Sequence, residues 1–222
     1  MHLICADAVA ILAATPPESV DCIVTDPPYR TISGGKGGTD GRPAGMLAKN
    51  DGRIFDHNDI EVETWAPLLF RVLKSPGHAW VFCNELNRHR FESAFRASGF
   101  RIHGLHVWVK NNTVPNRWGM KNYEPVFLLR KGPARALYTP SLQQAQMVAN
   151  VPSPKAHPTE KPVELLRSYI AASTRPGETV LDPFMGVGST GAACRDLGRI
   201  FTGVEIDPVY YGAACARLGV MP

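Results

Sequence analysis

Two apolar rhythms alternate along the chain. The first is a set of short, nearly continuous runs at residues 3–6, 20–25, 77–83, 101–110, 126–129, 178–182 and 200–205. Their length, and their content of Val, Ile, Phe and Trp, predict buried strands. In the second rhythm apolar residues stand three or four apart, as in Trp65, Leu68, Leu69 and Val72. That spacing predicts helices over 61–73, 86–97, 162–173, 189–198 and 208–218, with a helical turn after Asp7 that runs to Leu12. Pro67 falls inside the first of these helices without removing its apolar face. Pro162 opens its helix, where a missing N–H costs nothing.

Strands that alternate with helices predict an α/β fold: a mostly parallel twisted sheet with helices on both faces. Runs 101–110 and 126–129 have no helix between them, so one strand there is expected to be antiparallel. Two stretches lack either rhythm. Residues 30–56 hold seven glycines and read as a long loop, placed like a lid directly after the strand at 20–25. Residues 132–160 are rich in Pro, Ser, Ala and Gln and read as a linker or small excursion. There is no internal repeat, and 222 residues fit a single domain.

Composition narrows the class. The hydrophobic fraction of 44% and charged fraction of 20% are those of an ordinary globular chain. No apolar run approaches the roughly 18 residues of a membrane span. The opening Met1-His2-Leu3-Ile4-Cys5-Ala6-Asp7 lacks the basic and long apolar parts of a signal peptide. Five widely spaced cysteines, an odd number, read as reduced buried thiols in a cytoplasmic protein, and no pair has zinc spacing. Hence no metal and no membrane are expected. The formal charge is only +4, but residues 101–135 carry seven cations against the single acid Glu124, a local balance of +6. Trp108, Trp118 and Tyr123 interleave with those cations, which suits a nucleic-acid surface.

Candidate chemistry lies at two strand ends. Asp26-Pro27-Pro28-Tyr29 follows the run at 20–25, so an acid, a rigid turn and an aromatic ring stand where open α/β sheets bind ligands. Asp182-Pro183-Phe184-Met185-Gly186-Val187-Gly188 follows the run at 178–182 and opens into a helix through Thr190 and Gly191. Its glycines permit a tight turn and close approach of the backbone to a ligand. Glu205, at the end of the next strand, is placed to hydrogen-bond ribose hydroxyls. Together these indicate an adenosine-containing cofactor. A dinucleotide would need a second mononucleotide-binding half, for which the chain has no room. An acid at 182 suits an ammonium group better than a pyrophosphate, which points to S-adenosyl-L-methionine.

With these residues in view, the chain resembles the amino-group DNA methyltransferases of the permuted, β-type arrangement, in which the catalytic tetrapeptide precedes the cofactor motif. The resemblance covers most of the chain. It rests on Ile4 to Asp7, Asp26 to Tyr29, His157-Pro158-Thr159-Glu160-Lys161-Pro162, Asp182 to Gly188 and Gly203 to Asp207, in the family's order. It implies a Rossmann-like S-adenosylmethionine-dependent methyltransferase acting on DNA. It also implies site roles. Asp26, Pro27, Pro28 and Tyr29 would be catalytic, with Asp26 and Pro27 also bordering the cofactor. Asp182, Phe184, Gly186 and Gly188 would surround the methionine part. Glu205 would bind the ribose, Asp7 the adenine amino group, and Thr159 and Lys161 would reach the methionine carboxylate; Ala8, His157, Pro162, Thr190 and Ile206 would be further cofactor-binding residues.

The chemistry fits the residues. An exocyclic amino nitrogen is a poor nucleophile because its lone pair is delocalised into the ring. Acceptors on its hydrogens, the Asp26 carboxylate and by resemblance the Pro27 carbonyl, stabilise the charge that develops during attack. Tyr29 would stack on a base flipped out of the duplex. An acid at the first motif position is more typical of adenine N6 enzymes, so adenine is favoured over cytosine N4. The family's target-recognition region is reduced here to about 131–156. The chain is therefore expected to read a short site, to be permissive, or to work as a homodimer. An RNA methyltransferase, a dinucleotide-dependent oxidoreductase and a non-catalytic nucleic-acid-binding module are the alternatives, but the last two leave Asp26 to Tyr29 unexplained.

Overall fold

The computed structural model describes residues 1–28, 60–114, 119–152 and 159–221. Met1–Pro27 and Val62–Pro222 form one compact unit; Pro28–Glu61, mostly outside the described residues, form another. The expected loop at 30–56, with Tyr29, His157 and Trp118, lies outside the described residues.

Among the described residues the order is β1 (His2–Cys5), α1 (Ala8–Ala14), β2 (Val20–Thr25), α2 (Val62–Val72), β3 (Leu73–Phe82), α3 (Arg88–Ala97), β4 (Arg101–Val114), β5 (Lys121–Lys131), β6 (Ala145–Met147), α4 (Val163–Ser173), β7 (Thr179–Asp182), α5 (Ser189–Asp196), β8 (Ile200–Glu205) and α6 (Pro208–Leu218). The strands form one sheet in the order β1-β8-β7-β2-β3-β5-β4-β6. Every pairing is parallel except those of β5 with β3 and β4. The sheet is thus mostly parallel with one antiparallel strand, as expected.

Side chains alternate across the sheet, and each face carries its own helices. On one face Trp80 stacks on Tyr169 of α4 at 4.4 Å, and Cys22, Val24 and Leu128 join the cluster that α4, α5 and α6 complete. On the other face Phe127 meets Phe95 of α3 edge-on at 5.5 Å, and Trp65 of α2 packs on Phe91 and Phe95. Helix ends are sealed by cations from neighbouring elements. The Arg71 guanidinium donates to the carbonyls of Leu12, Ala13 and Thr15 at 2.7, 2.8 and 2.7 Å, closing the C-terminus of α1. Lys131 of β5 does the same for α2, donating to Phe70 and Leu73 carbonyls at 2.8 Å each.

Three elements depart from expectation. β3 begins at Leu73 directly where α2 ends, since β2 pairs with it from Val20↔Leu73 onward. The β4–β5 pair runs far beyond the apolar runs, because the ladder continues through polar positions as far as Val114↔Lys121. The segment expected to be a linker contains β6, which pairs in parallel with β4 at Val107↔Ala145 to Val109↔Met147. Four cysteines are buried as expected, but Cys5, at the end of the sheet's edge strand β1, is exposed. No helix among the described residues is long and apolar enough to cross a membrane, and no cluster of metal-ligating residues occurs among them.

Candidate active site

The strand order turns the site into a geometric consequence. From β7 the chain passes through α5 to β8 on one side, and from β2 it passes to β3 on the other; β1, the first strand, lies beyond β8 at the edge. β2 and β7 are adjacent and parallel, paired at Cys22↔Val180 and Ile23↔Leu181. They flank the switch point at which connections leave in opposite directions, where a crevice opens at the carboxyl ends. Asp26 follows β2 and Asp182 ends β7, so both expected motifs open at this one place.

The turn after β7 is built around Asp182. Its carboxylate, 3% exposed, accepts from the Thr25 hydroxyl at 2.7 Å, the Phe184 amide at 3.1 Å and the Thr190 hydroxyl at 2.6 Å. Burial pushes this carboxyl up to about 6, against the pull of its hydroxyl donors. Both strand ends and the start of α5 are tied to one side chain. Gly186 and Gly188 hold φ of 52° and 79°, and a Cβ on Gly186 would meet nothing within 4 Å, so the space over the turn is open. Phe184 leans edge-on against Trp65 at 5.7 Å.

Glu205 closes the next strand. It accepts from the amides of Gly186 and Asp207, both at 2.9 Å, one on each carboxylate oxygen, and each oxygen keeps a second lone pair. Burial raises this carboxyl above its ordinary range. Ile206 beside it is exposed and Ala8 is buried. Asp7 is the N-cap of α1, accepting from the Ala10 amide at 2.8 Å. Since β1 pairs with β8 as far as Cys5↔Glu205, Asp7 and Glu205 stand at neighbouring strand ends.

Asp26 is the centre of a buried ionic group that the sequence did not announce. Its Oδ2 accepts from the Lys161 ammonium. Its Oδ1 is buried and accepts from none of the described residues. Burial raises the Asp26 carboxyl and Lys161 opposes that rise. Lys161 also lies 3.3 Å from Glu124 Oε2, and Glu124 in turn pairs with Lys110. Burial would raise Glu124, but its two ammonium neighbours outweigh burial and hold it below the ordinary range. The segment bearing Lys161 is anchored by Glu160, buried and bonded to Arg217 of α6, which also donates to Ser189 at 2.8 Å. Pro162 is the extended N-cap residue of α4, and Thr159 is exposed.

The structure thus gathers Asp26, Pro27 and Lys161 on one side of the switch point and the turn at 182–190 on the other, with Asp7, Ala8, Glu205 and Ile206 at the ends of β1 and β8. The sequence reading missed Thr25, Lys110 and Glu124. A signal for Glu124 was present: it is the lone acid in the strongly basic stretch 101–135.

Comparison with known proteins agrees with this fold. The profile of the N6_N4_Mtase family, DNA methylase, matches residues 20–215. The Type II methyltransferase M2.DpnII of Streptococcus pneumoniae is 30% identical over 239 residues, covering 98% of this chain and 89% of that protein. The Type II methyltransferase M.HinfI of Haemophilus influenzae is also 30% identical, over 96% of this chain and 66% of its own length. Among solved structures, M1.HpyAVI in its SAM complex has a TM-score of 0.74 at 24% identity, covering 98% of this chain and 99% of that one. The PvuII DNA methyltransferase (cytosine-N4-specific) has a TM-score of 0.74 at 18% identity, covering 97% and 85%. These two likenesses establish the shared fold. The matched residues 20–215 take in both strand-end motifs. This chain belongs to the N6_N4_Mtase family of DNA methylases.

Proposed function

We propose that this chain transfers a methyl group from S-adenosyl-L-methionine to the exocyclic N6 amino group of an adenine flipped out of duplex DNA in the cytoplasm. The observation that carries the proposal is Asp26 Oδ1: a buried acceptor without a partner among the described residues, across the β2/β7 switch point from an open glycine turn. An orphaned buried acceptor is costly unless a ligand satisfies it. An amino group is the donor that does so.

S-adenosylmethionine supplies an electrophilic methyl group on a sulfonium. The chain's own residues do the rest. The open backbone at Gly186 fits close approach of the methionine part, beside Phe184, with Gly188 packed behind it against α6. Glu205 has lone pairs left for ribose hydroxyls, and Asp7, Ala8 and Ile206 border the adenine. Thr159 borders the methionine carboxylate, while the Lys161 ammonium is turned to Asp26 and Glu124. Asp182 and Thr190, bonded to each other within the chain, shape the turn. Asp26 Oδ1 and the Pro27 carbonyl accept from the amino group, which localises the nitrogen lone pair and stabilises the positive charge that develops on it. Fixing donor and acceptor in line contributes much of the remaining rate. The surplus of cations at 101–135 suits the phosphate backbone.

Cytosine N4 is the second reading, favoured by the structural likeness to a cytosine-N4-specific enzyme. The first residue of the tetrapeptide, Asp26, favours adenine by resemblance. One experiment separates them. The protein is incubated with S-adenosylmethionine and unmethylated duplex DNA, and the digested nucleosides are identified by mass spectrometry. N6-methyladenine is expected, absent with Asp26→Ala while cofactor binding by calorimetry persists. N4-methylcytosine would move the acceptor to cytosine. No modified nucleoside from DNA, with methylation of RNA under the same conditions, would overturn the DNA reading.

A further inference from the structure

Lys161 is held by more than its catalytic neighbour. Its ammonium donates to Asp26 Oδ2 and to the Thr159 carbonyl at 3.3 Å. Glu124 Oε2 stands 3.3 Å away on the same ammonium as an ion-pair partner rather than a hydrogen-bond acceptor. The Lys161 side chain is 6% exposed, so water does not compete strongly for its donors. Phe82 lies beneath it, the ring centre 5.1 Å from Nζ. Glu124 comes from β5, where it is paired in register with Trp108 of β4, and Lys110 lies two residues further along β4 on the same face. Lys110 binds Glu124 from the far side, its ammonium 4.7 Å from the centre of the Trp108 ring. The result is a row of alternating charge, buried at Lys161 and half-buried at the other three: Lys110, Glu124, Lys161, Asp26.

We propose that Glu124 is a positioning residue of the catalytic centre: by drawing Lys161 from the side away from Asp26, it keeps the ammonium shared, so that Lys161 neutralises Asp26 Oδ2 without closing over Oδ1. The inference rests on the reading of Asp26 as the residue that holds the acceptor amino group. A buried carboxylate facing a lysine alone would take it as a tight pair and lose its readiness to accept another donor. A second carboxylate on the same lysine prevents that. Lys110 keeps the arrangement affordable, because two acids and two bases leave no net buried charge.

The direction of the electrostatic effect is defined. The charged or titratable groups that face Asp26 are Lys161, Glu124 and Lys110, with Cys83 after β3 and Asp182 at the end of β7. Glu124 pushes the Asp26 carboxyl up, while Lys161 and Lys110 push it down. Neutralising Glu124 therefore lowers Asp26, and neutralising Lys161 raises it.

The test follows Asp26 directly in the full chain without cofactor, by NMR of carbon-13-labelled aspartate carboxyls, assigned with Asp26→Asn. In Glu124→Gln the Asp26 titration is expected to move to lower pH, and kcat for methyl transfer to fall by roughly tenfold through loss of the aligned acceptor. Lys161→Gln is expected to move the titration the opposite way. Glu124→Asp, which keeps the charge, stays nearer the parent protein in both measurements. The double variant Glu124→Gln/Lys110→Met leaves no unpaired ammonium and, if the single variant folds poorly, gives a smaller downward movement, because the loss of Lys110 offsets part of the loss of Glu124. An Asp26 titration that is unmoved or moves up in folded Glu124→Gln overturns the inference. A parent protein that methylates no nucleic acid overturns the functional reading instead, and the titration still decides whether Glu124 acts on Asp26.

Discussion

Gly188 shows how a single residue serves both the fold and the site. It is the N-cap of α5 at φ 79°, in the left-handed region, and an added Cβ would stand 3.1 Å from the Ala214 Cβ and 3.2 Å from Leu218 Cδ1. Gly188→Ala is expected to lower stability by roughly 1–2 kcal/mol from the backbone conformation alone. Urea denaturation should show a lower midpoint with an unchanged slope. Asp182 and Asp26 are a contrasting pair of acids a short distance apart. Asp182 takes three donors from its own chain, whereas Asp26 keeps one oxygen without a partner among the described residues. Both were visible in the sequence as acids at strand ends. Their division of labour was not, because it depends on Thr25 and Thr190 converging from different elements onto one of them.

At the scale of elements, α1 and α2 are closed at their C-termini by side chains far away in sequence. Arg71 holds three carbonyls at the end of α1 from 56 to 59 residues away. Hydrogen bonds to a charged group contribute about 1.5–3 kcal/mol, so Arg71→Met, which keeps the aliphatic stem, is expected to destabilise by about 2 kcal/mol. Hydrogen exchange should show the loss concentrated at the amides of α1 that lie nearest the released carbonyls. The apolar rhythms located nearly every strand and helix, because buried faces force a period of two or near four. They missed β6, a three-residue strand in a stretch of polar and small residues. Its presence follows from the free edge of β4 and from Trp108, whose indole N–H donates to the Val148 carbonyl at 2.8 Å. A partner strand, rather than its own composition, makes that segment extended.

The pH dependence of stability belongs to the whole molecule. His78, buried in β3, is pushed down from 6.5 to about 4 by burial and by the Arg135 charge. It is therefore neutral in the fold. The stability this provides is complete above the unfolded value and is lost as pH falls through about 4. Asp182 is pushed up from 3.8 to about 6 by burial. Its contribution runs the other way: complete below 3.8, and lost as pH rises through about 6. Over the shared window the two slopes oppose each other. Asp182→Asn should make stability rise with pH across that window, and His78→Gln should make it fall. Urea midpoints measured across the window check both signs. A parallel response of the two variants would contradict the assignment.

The sequence by itself determined the alternation of strands and helices, the two motifs and their order along the chain. Those are local properties: periodicity, glycine at a turn, proline after a strand, an acid at its end. It did not determine that β2 and β7, 157 residues apart at Thr25 and Asp182, would lie side by side and bring the motifs to one crevice. Nor did it determine that Glu124 and Lys110 would reach Asp26 through Lys161. Strand order is set by how the helices cover both faces of the sheet, and the ionic row exists only once the β4–β5 pair and the segment before α4 are packed against the end of β2. Charges far apart in sequence interact only weakly until folding brings them together and burial removes the water between them, and both are the work of the tertiary structure.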